Sequence, residues 1–411
     1  MLKLLSKNIL IYGGTNALKS LVPLFMLPIL TTHLTLEDFG ILSIVETTIL
    51  FLTPFILLNI NAAINVEYFQ LEHFELKKYI TNALFLSTIS FFLIIVLVTI
   101  LQKSLINFLH LDSTIVVWIV VFALLRVISS VVLGLYQSRQ ESVKFATFTL
   151  IQTAFDFLLS YIFVVIYQYG YLGRLAGMYS VYAIFSIIGI YLLFKMDYIG
   201  KVTFKYTKDI LHFGLPLIPH AVSGTVMAMS DRYFISYFEG NAQVGLYTVA
   251  YQISALMLLV GMSVNQAWSP MFFRFLKEKK IYQVKKVTLL LFLFFIIVAI
   301  CVYLLKDMLF SIFVDASFYI AKEYFGWLLL GFIFQSFYFL VTNFLFFEKK
   351  TKLLASITLI GATLNIILNY ILIKEFGTIG VAYATAITWF LFFMIVLIID
   401  YKFLKVKYAD N

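Results

Sequence analysis

At 411 residues the chain is long enough for two or three soluble domains, but 62% of its residues are hydrophobic, 12% are charged and its mean hydropathy is +0.99. Soluble domains run at roughly 45–50% apolar and about 25% charged, so a water-soluble globule is excluded and bilayer burial is the sink for so many Phe and Leu side chains. The net charge of +9 would point to nucleic acid in a soluble protein; here it sits in short loops between apolar runs and sets topology instead, with no nucleic-acid partner expected.

Twelve runs reach the roughly 20 residues that cross about 30 Å of hydrocarbon. The first, 8–31, is too long for a signal-peptide core and is expected to remain as a span; it places Tyr12, Thr15, Asn16 and Lys19 on one helical face. The second, 41–65, carries Glu46 about two turns in, and the third is 79–101. The fourth, 114–136, holds Arg126 near its middle with Ser129 and Ser130 a turn later. The fifth, 145–169, presents Gln152, Asp156 and Ser160 as a stripe at four-residue spacing, and the sixth is 174–194. A linker at 195–209, with Gly200, four Lys and two Asp, precedes the seventh span, 210–235, which brings Asp231 and Arg232 toward its outer end. The remaining spans are 245–269, 287–305, 322–346, 353–373 and 378–400, with Gly361, Asn365 and Asn369 as the stripe in the eleventh. Runs such as 289–300 are apolar on every face, unlike barrel strands, which alternate. The expected class is all-α integral membrane.

Of the 30 Lys and Arg residues, 22 fall on the face that holds the N-terminus, five, Arg174 among them, on the other, and three inside spans. The positive-inside rule places both termini in the cytoplasm, which an even span count requires independently. The halves also repeat. Residues 149–162 align with 358–371 at six of fourteen positions, Asp156 facing Asn365, and Gly170 and Gly173 match Gly377 and Gly380 in short outer loops. The common offset predicts two six-helix lobes, 1–200 and 201–411, related by a parallel pseudo-two-fold along the membrane normal.

Ionisable groups at bilayer depth are costly unless they face a bundle interior or a wet cavity. Lys19 and Arg126 read as cavity-lining cations, with structural ion pairing as the alternative; for Arg232, Asp231 and the interface offer a second explanation. Asp156 reads either as a cation site, with Glu46 as a second cavity acid, or as a carboxylate paired with Arg126 or Lys19. His33 and His220 are assigned to interface or helix packing, Trp118, Trp268 and Trp327 to the membrane interface, and Cys301 to a small buried apolar position. The run Gly13 to Ser20 has the outline of a phosphate-binding loop, but Leu18 stands where Gly is required before Lys, and nucleotide binding is rejected. Metal-ligand spacing and catalytic motifs are not found, so neither a cofactor nor an enzyme is expected.

Residues 28–40 after the first span, 231–238 in the seventh and 244–250 in the eighth resemble the corresponding segments of polysaccharide-biosynthesis flippases, within the superfamily of multidrug, oligosaccharidyl-lipid and polysaccharide exporters. The resemblance covers the whole chain and is strongest to Wzx-type O-antigen repeat-unit translocases. It implies twelve helices around a central cavity that opens alternately to either side, and a cargo of undecaprenyl-diphosphate-linked oligosaccharide crossing the bacterial inner membrane. Also implied are surrounding membrane lipid, a coupling ion (proton or sodium) and a partner polysaccharide polymerase. A diphosphate needs cations, which Lys19, Arg126 and Arg232 would supply, with Asp156, Glu46, Asp231 and Asn365 as coupling or cavity-polar groups. A multidrug–cation antiporter of the same superfamily is the alternative, but it calls for an acidic cavity. A peptidoglycan-precursor flippase would need two further helices, and an integral-membrane glycosyltransferase a large acidic outer loop.

Overall fold

The computed structural model describes residues 2–407, and their side chains except at 2–10, 220, 351–352 and 401–407. The side chains of His220, assigned above to packing, and of Lys3, Lys7, Lys352, Lys402, Lys405 and Lys407, six of the 22 basic residues counted for orientation, lie outside the described residues. Among the described residues the secondary structure is helical throughout. Eleven helices of the described residues are long and apolar enough to cross a bilayer, and they correspond to the second to twelfth expected spans. The first expected span lies in the helix Leu2–His33.

The chain divides into two compact units, 1–229 and 230–411. Unit 1 contains α1 (Leu2–His33), α2 (Leu36–Leu57), α3 (Ile60–Glu67), α4 (His73–Ile100), α5 (Gln102–Leu109), α6 (Ser113–Ser138), α7 (Ser142–Tyr161), α8 (Gly170–Lys195) and α9 (Thr207–Gly214). The division falls within α10 (Ile218–Glu239). Unit 2 continues with α11 (Asn241–Ser254), α12 (Leu256–Lys277), α13 (Ile281–Leu304), α14 (Lys306–Phe313), α15 (Lys322–Phe347), α16 (Thr351–Phe376) and α17 (Thr378–Lys407).

The most apolar span is also the least buried, as expected when the solvent is lipid. α13 is the most apolar span, with a mean hydropathy of 3.1, and Leu289, Ile297 and Leu304 are exposed on it. The central helix of unit 2, α15, is less apolar at 1.8 and is the most deeply packed, because Gly331, Ser336 and Asn343 let neighbours approach and bond. Cys301, on α13, is exposed rather than buried, since an apolar run on a lipid-facing helix has no protein over most of its surface. Trp268 corrects the interface assignment in the other direction: it is buried against Phe272 and Phe275, whereas Trp118 and Trp327 are half exposed.

Elements recur between the units at the offset read from the sequence. Each has an eight-residue amphipathic helix after its third span, α5 and α14. Gly170 and Gly377 open α8 and α17 in left-handed backbone conformations, at φ +58° and +66°, which L side chains rarely adopt.

Candidate functional site

In unit 1, Lys19 lies on the solvent-open side of α1, a turn from the buried Thr15, and close enough to Arg126 on α6 for the two charges to repel. The Arg126 guanidinium carbon sits 5.9 Å from the centre of the Tyr182 ring on α8, a cation–π contact that holds the charge without neutralising it. Among the described residues neither Lys19 nor Arg126 is in an ion pair. Two neighbouring cations without a counter-ion raise the energy of the empty site and so favour an anion.

The carboxylate expected beside them is engaged elsewhere. Asp156 on α7 pairs with Arg174 on α8, at 2.6 Å from Nη1 to Oδ1 and 3.3 Å from Nη2 to Oδ2. Nη1 also donates to Ser160 Oγ at 2.5 Å. The bidentate fork explains why Arg rather than Lys stands here. Gly177 makes it possible: a Cβ there would lie 2.8 Å from Ser160 Oγ, so only glycine lets α8 lie this close to α7. A π-turn at Ile162–Ile166 ends α7 just after Ser160. This corrects two expectations. The partner of Asp156 is neither Arg126 nor Lys19 but Arg174, which is buried near the start of α8 rather than left as a surface charge. Glu46, exposed on α2, also acts electrostatically on Arg174.

In unit 2 the polar residues of α10, α11, α16 and α17 form one buried cluster. Asp231 accepts from Tyr247 Oη at 2.5 Å, Thr385 Oγ1 at 3.1 Å and Asn369 Nδ2 at 3.1 Å. Ser230 Oγ donates to Asn365 Oδ1 at 3.0 Å, and Asn365 Nδ2 reaches Thr388 Oγ1 at 3.4 Å. Arg232 is equally buried, its guanidinium carbon 4.1 Å from the Tyr251 ring centre. Asn369 Oδ1 is buried without a hydrogen-bond partner. An orphaned carbonyl oxygen beside a carboxylate and three hydroxyls is the oxygen-rich chemistry that hard cations take, or that receives a proton on Asp231.

Sequence reasoning found Asp231, Asn365 and the Asn369 stripe but missed Tyr247 and Thr385, which look like ordinary span residues. For Arg174 a signal existed: its position one turn beyond Gly170, on the helix after the one that carries Asp156.

A family model described as polysaccharide biosynthesis protein matches residues 5–276, and one described as MatE matches residues 216–371. Lsg locus putative protein 1 of Haemophilus influenzae is 24% identical over 404 residues, covering 94% of this chain and 97% of that protein. The probable low-salt glycan biosynthesis flippase Agl15 of Haloferax volcanii is 25% identical over 193 residues, 46% of this chain and 41% of the relative. Among solved structures, an inward-facing multidrug resistance MATE family transporter of the MOP superfamily aligns with a TM-score of 0.78 at 14% identity, covering 96% of each chain. The lipid II flippase MurJ in an inward closed conformation aligns at 0.72 and 16% identity, over 97% of this chain and 93% of its own.

Proposed function

Because the chain belongs to the polysaccharide biosynthesis protein family and has the fold of the MOP-superfamily transporters, we propose that it is a flippase for undecaprenyl-diphosphate-linked oligosaccharide repeat units. It moves them from the cytoplasmic to the outer leaflet of the bacterial inner membrane by alternating access, with both termini cytoplasmic and the lobes divided near residue 200. The observation that carries the reading is the pair of neighbouring, unneutralised cations Lys19 and Arg126 in a unit whose buried Arg174 already has its own carboxylate. A lipid diphosphate supplies the missing negative charge, and charge-assisted bonds to it are the strong kind. No bond in the cargo needs to break.

Coupling is assigned to the Asp231 cluster, where Asn365, Asn369 and Thr385 surround one carboxylate; a monovalent cation or a proton fits a site with a single acid. Arg232 takes part from within that cluster, as a buried charge beside Asp231, while Lys19 and Arg126 hold the diphosphate. A multidrug–cation antiporter would place acids where this chain places cations. The test is genetic and chemical: deleting the gene should make lipid-linked repeat units accumulate on the cytoplasmic side, and the wild-type copy should clear them. Unchanged distribution of these intermediates in the deletion strain would reject the proposal.

A further inference from the structure

At the end of unit 1 where α6 and α8 begin, a groove of about 720 Å³ opens between the two helices. That is the size of small-molecule sites, which bind by apolar faces with a few placed polar groups. Its walls fit that description. The Trp118 and Tyr179 rings lie with centres 6.1 Å apart and planes inclined by 32°, and Trp118 is 49% exposed. Asp112, Thr114 and Ser180 supply polar groups, and Tyr171 Oη donates to Asp112 Oδ2 at 3.3 Å.

The lining discriminates between ligand classes. No basic side chain lines the groove, and its one charge is the Asp112 carboxylate, so a phosphate is repelled. An acyl chain would strand the acid and the hydroxyls against hydrocarbon. A sugar ring matches both faces: its C–H surface stacks on Trp118 and Tyr179, and its hydroxyls bond to Asp112, Thr114 and Ser180. The groove is also connected to the cations. Phe122 packs edge-on against Tyr179 at 4.7 Å and Tyr182 at 4.9 Å, and Tyr182 carries Arg126. From Trp118 to Arg126 the helix rises roughly 12 Å, so the two ends are separated by the length of a short oligosaccharide rather than of a single ring.

We propose that this groove is a saccharide subsite that holds a sugar of the cargo by stacking on Trp118 and Tyr179 while the diphosphate occupies Lys19 and Arg126. The subsite rests on the flippase reading above, and it makes Trp118 and Tyr179 determinants of glycan affinity rather than membrane anchors.

The test compares two probes on the intact protein in phosphatidylglycerol nanodiscs: undecaprenyl diphosphate without sugar, and the same lipid bearing the repeat unit extracted from the native host. Wild type should bind the glycosylated lipid more tightly. The double variant Trp118→Ala, Ser180→Ala should lose about ten-fold in affinity for it and keep wild-type affinity for the sugar-free lipid. That second affinity reports folding, and Trp118→Phe should retain most of the preference. An undiminished glycan preference in the double variant would overturn the subsite while leaving the flippase reading standing. Loss of the preference when phosphatidylethanolamine replaces phosphatidylglycerol would assign the groove to an amine headgroup and overturn it as well. Failure of wild type to bind either probe above an equally charged phospholipid would instead remove the flippase reading, and the subsite with it.

Discussion

The Arg174 guanidinium grips the Asp156 carboxylate on the neighbouring helix and in the same gesture bonds Ser160, one turn further along. This pairing occupies Asp156 and leaves Lys19 and Arg126, neither of them in an ion pair among the described residues, for an anionic ligand.

Breaking the pair should damage folding more than transport. Asp156→Ala leaves a buried arginine without its counter-charge, at a cost of about 3–5 kcal/mol. Thermal unfolding of the purified protein in detergent should show a clear drop in Tm. The double variant Asp156→Leu, Arg174→Met, which removes both charges, should recover most of it. Equal losses in the single and double variants would show that volume, not charge, matters at this seam.

Neutralising the cations should have the opposite signature. Lys19→Ala or Arg126→Ala removes a charge-assisted contact of about 1.5–3 kcal/mol, roughly 10- to 150-fold in affinity for undecaprenyl diphosphate. Tm should stay near wild type or rise slightly as the mutual repulsion disappears. Arg126→Lys keeps charge without the fork and should retain partial function. Full surface-glycan production by the Lys19→Ala, Arg126→Ala double variant would sink the cationic-site mechanism.

Coupling should fail at Asp231 and not at Asp156. In proteoliposomes, Asp231→Asn should make transport independent of an imposed sodium or proton gradient, and Tyr247→Phe, which removes one donor to the same carboxylate, should shift the gradient dependence without abolishing it. Wild-type gradient dependence in Asp231→Asn would move the coupling ion elsewhere.

The segment between the halves carries a pH-sensitive attachment. Beyond the end of α8, Asp197 pairs with Lys77 and lies 3.4 Å from His73 Nε2, and the bond from Lys77 holds its carboxyl below the usual carboxylate range. A depressed acid contributes stability above its unfolded pKa, near 3.9, and that contribution fades as pH falls through the lower folded value. Hydrogen exchange should therefore show loss of protection at Tyr198 and Gly200, whose amides bond to Leu193 O and Thr81 Oγ1, as pH drops below about 4. Asp197→Asn should show that loss already at pH 6. Identical protection in the variant at pH 6 would mean the backbone bonds hold alone.

Orientation can be read with reporters. A fusion after Lys407 should report cytoplasm and an insertion at Asn241 the outside, following the lysine and arginine bias. An external C-terminus would undo the parity of the span count and the repeat argument together.

Composition alone determined that this is a membrane-spanning helical protein, because hydrocarbon solvent demands continuous apolar runs and those are visible one residue at a time. Gly170 and Gly377, matched by offset in the sequence, both have a positive φ. Lys19, Arg126, Asp231 and Asn365 announced themselves because a polar group at bilayer depth is costly wherever it points. Which of these groups neutralise one another was decided only by tertiary structure. Asp156 had several basic residues within plausible reach along the sequence, and the close approach of α8 at Gly177 selects Arg174. Tyr247 and Thr385 carry no mark in a span rich in Tyr and Thr; they become ligands of Asp231 only because α10, α11 and α17 converge on it. Helical periodicity gives the face of each residue, but the partner across the gap depends on how the helices pack, and a single sequence does not encode that pairwise.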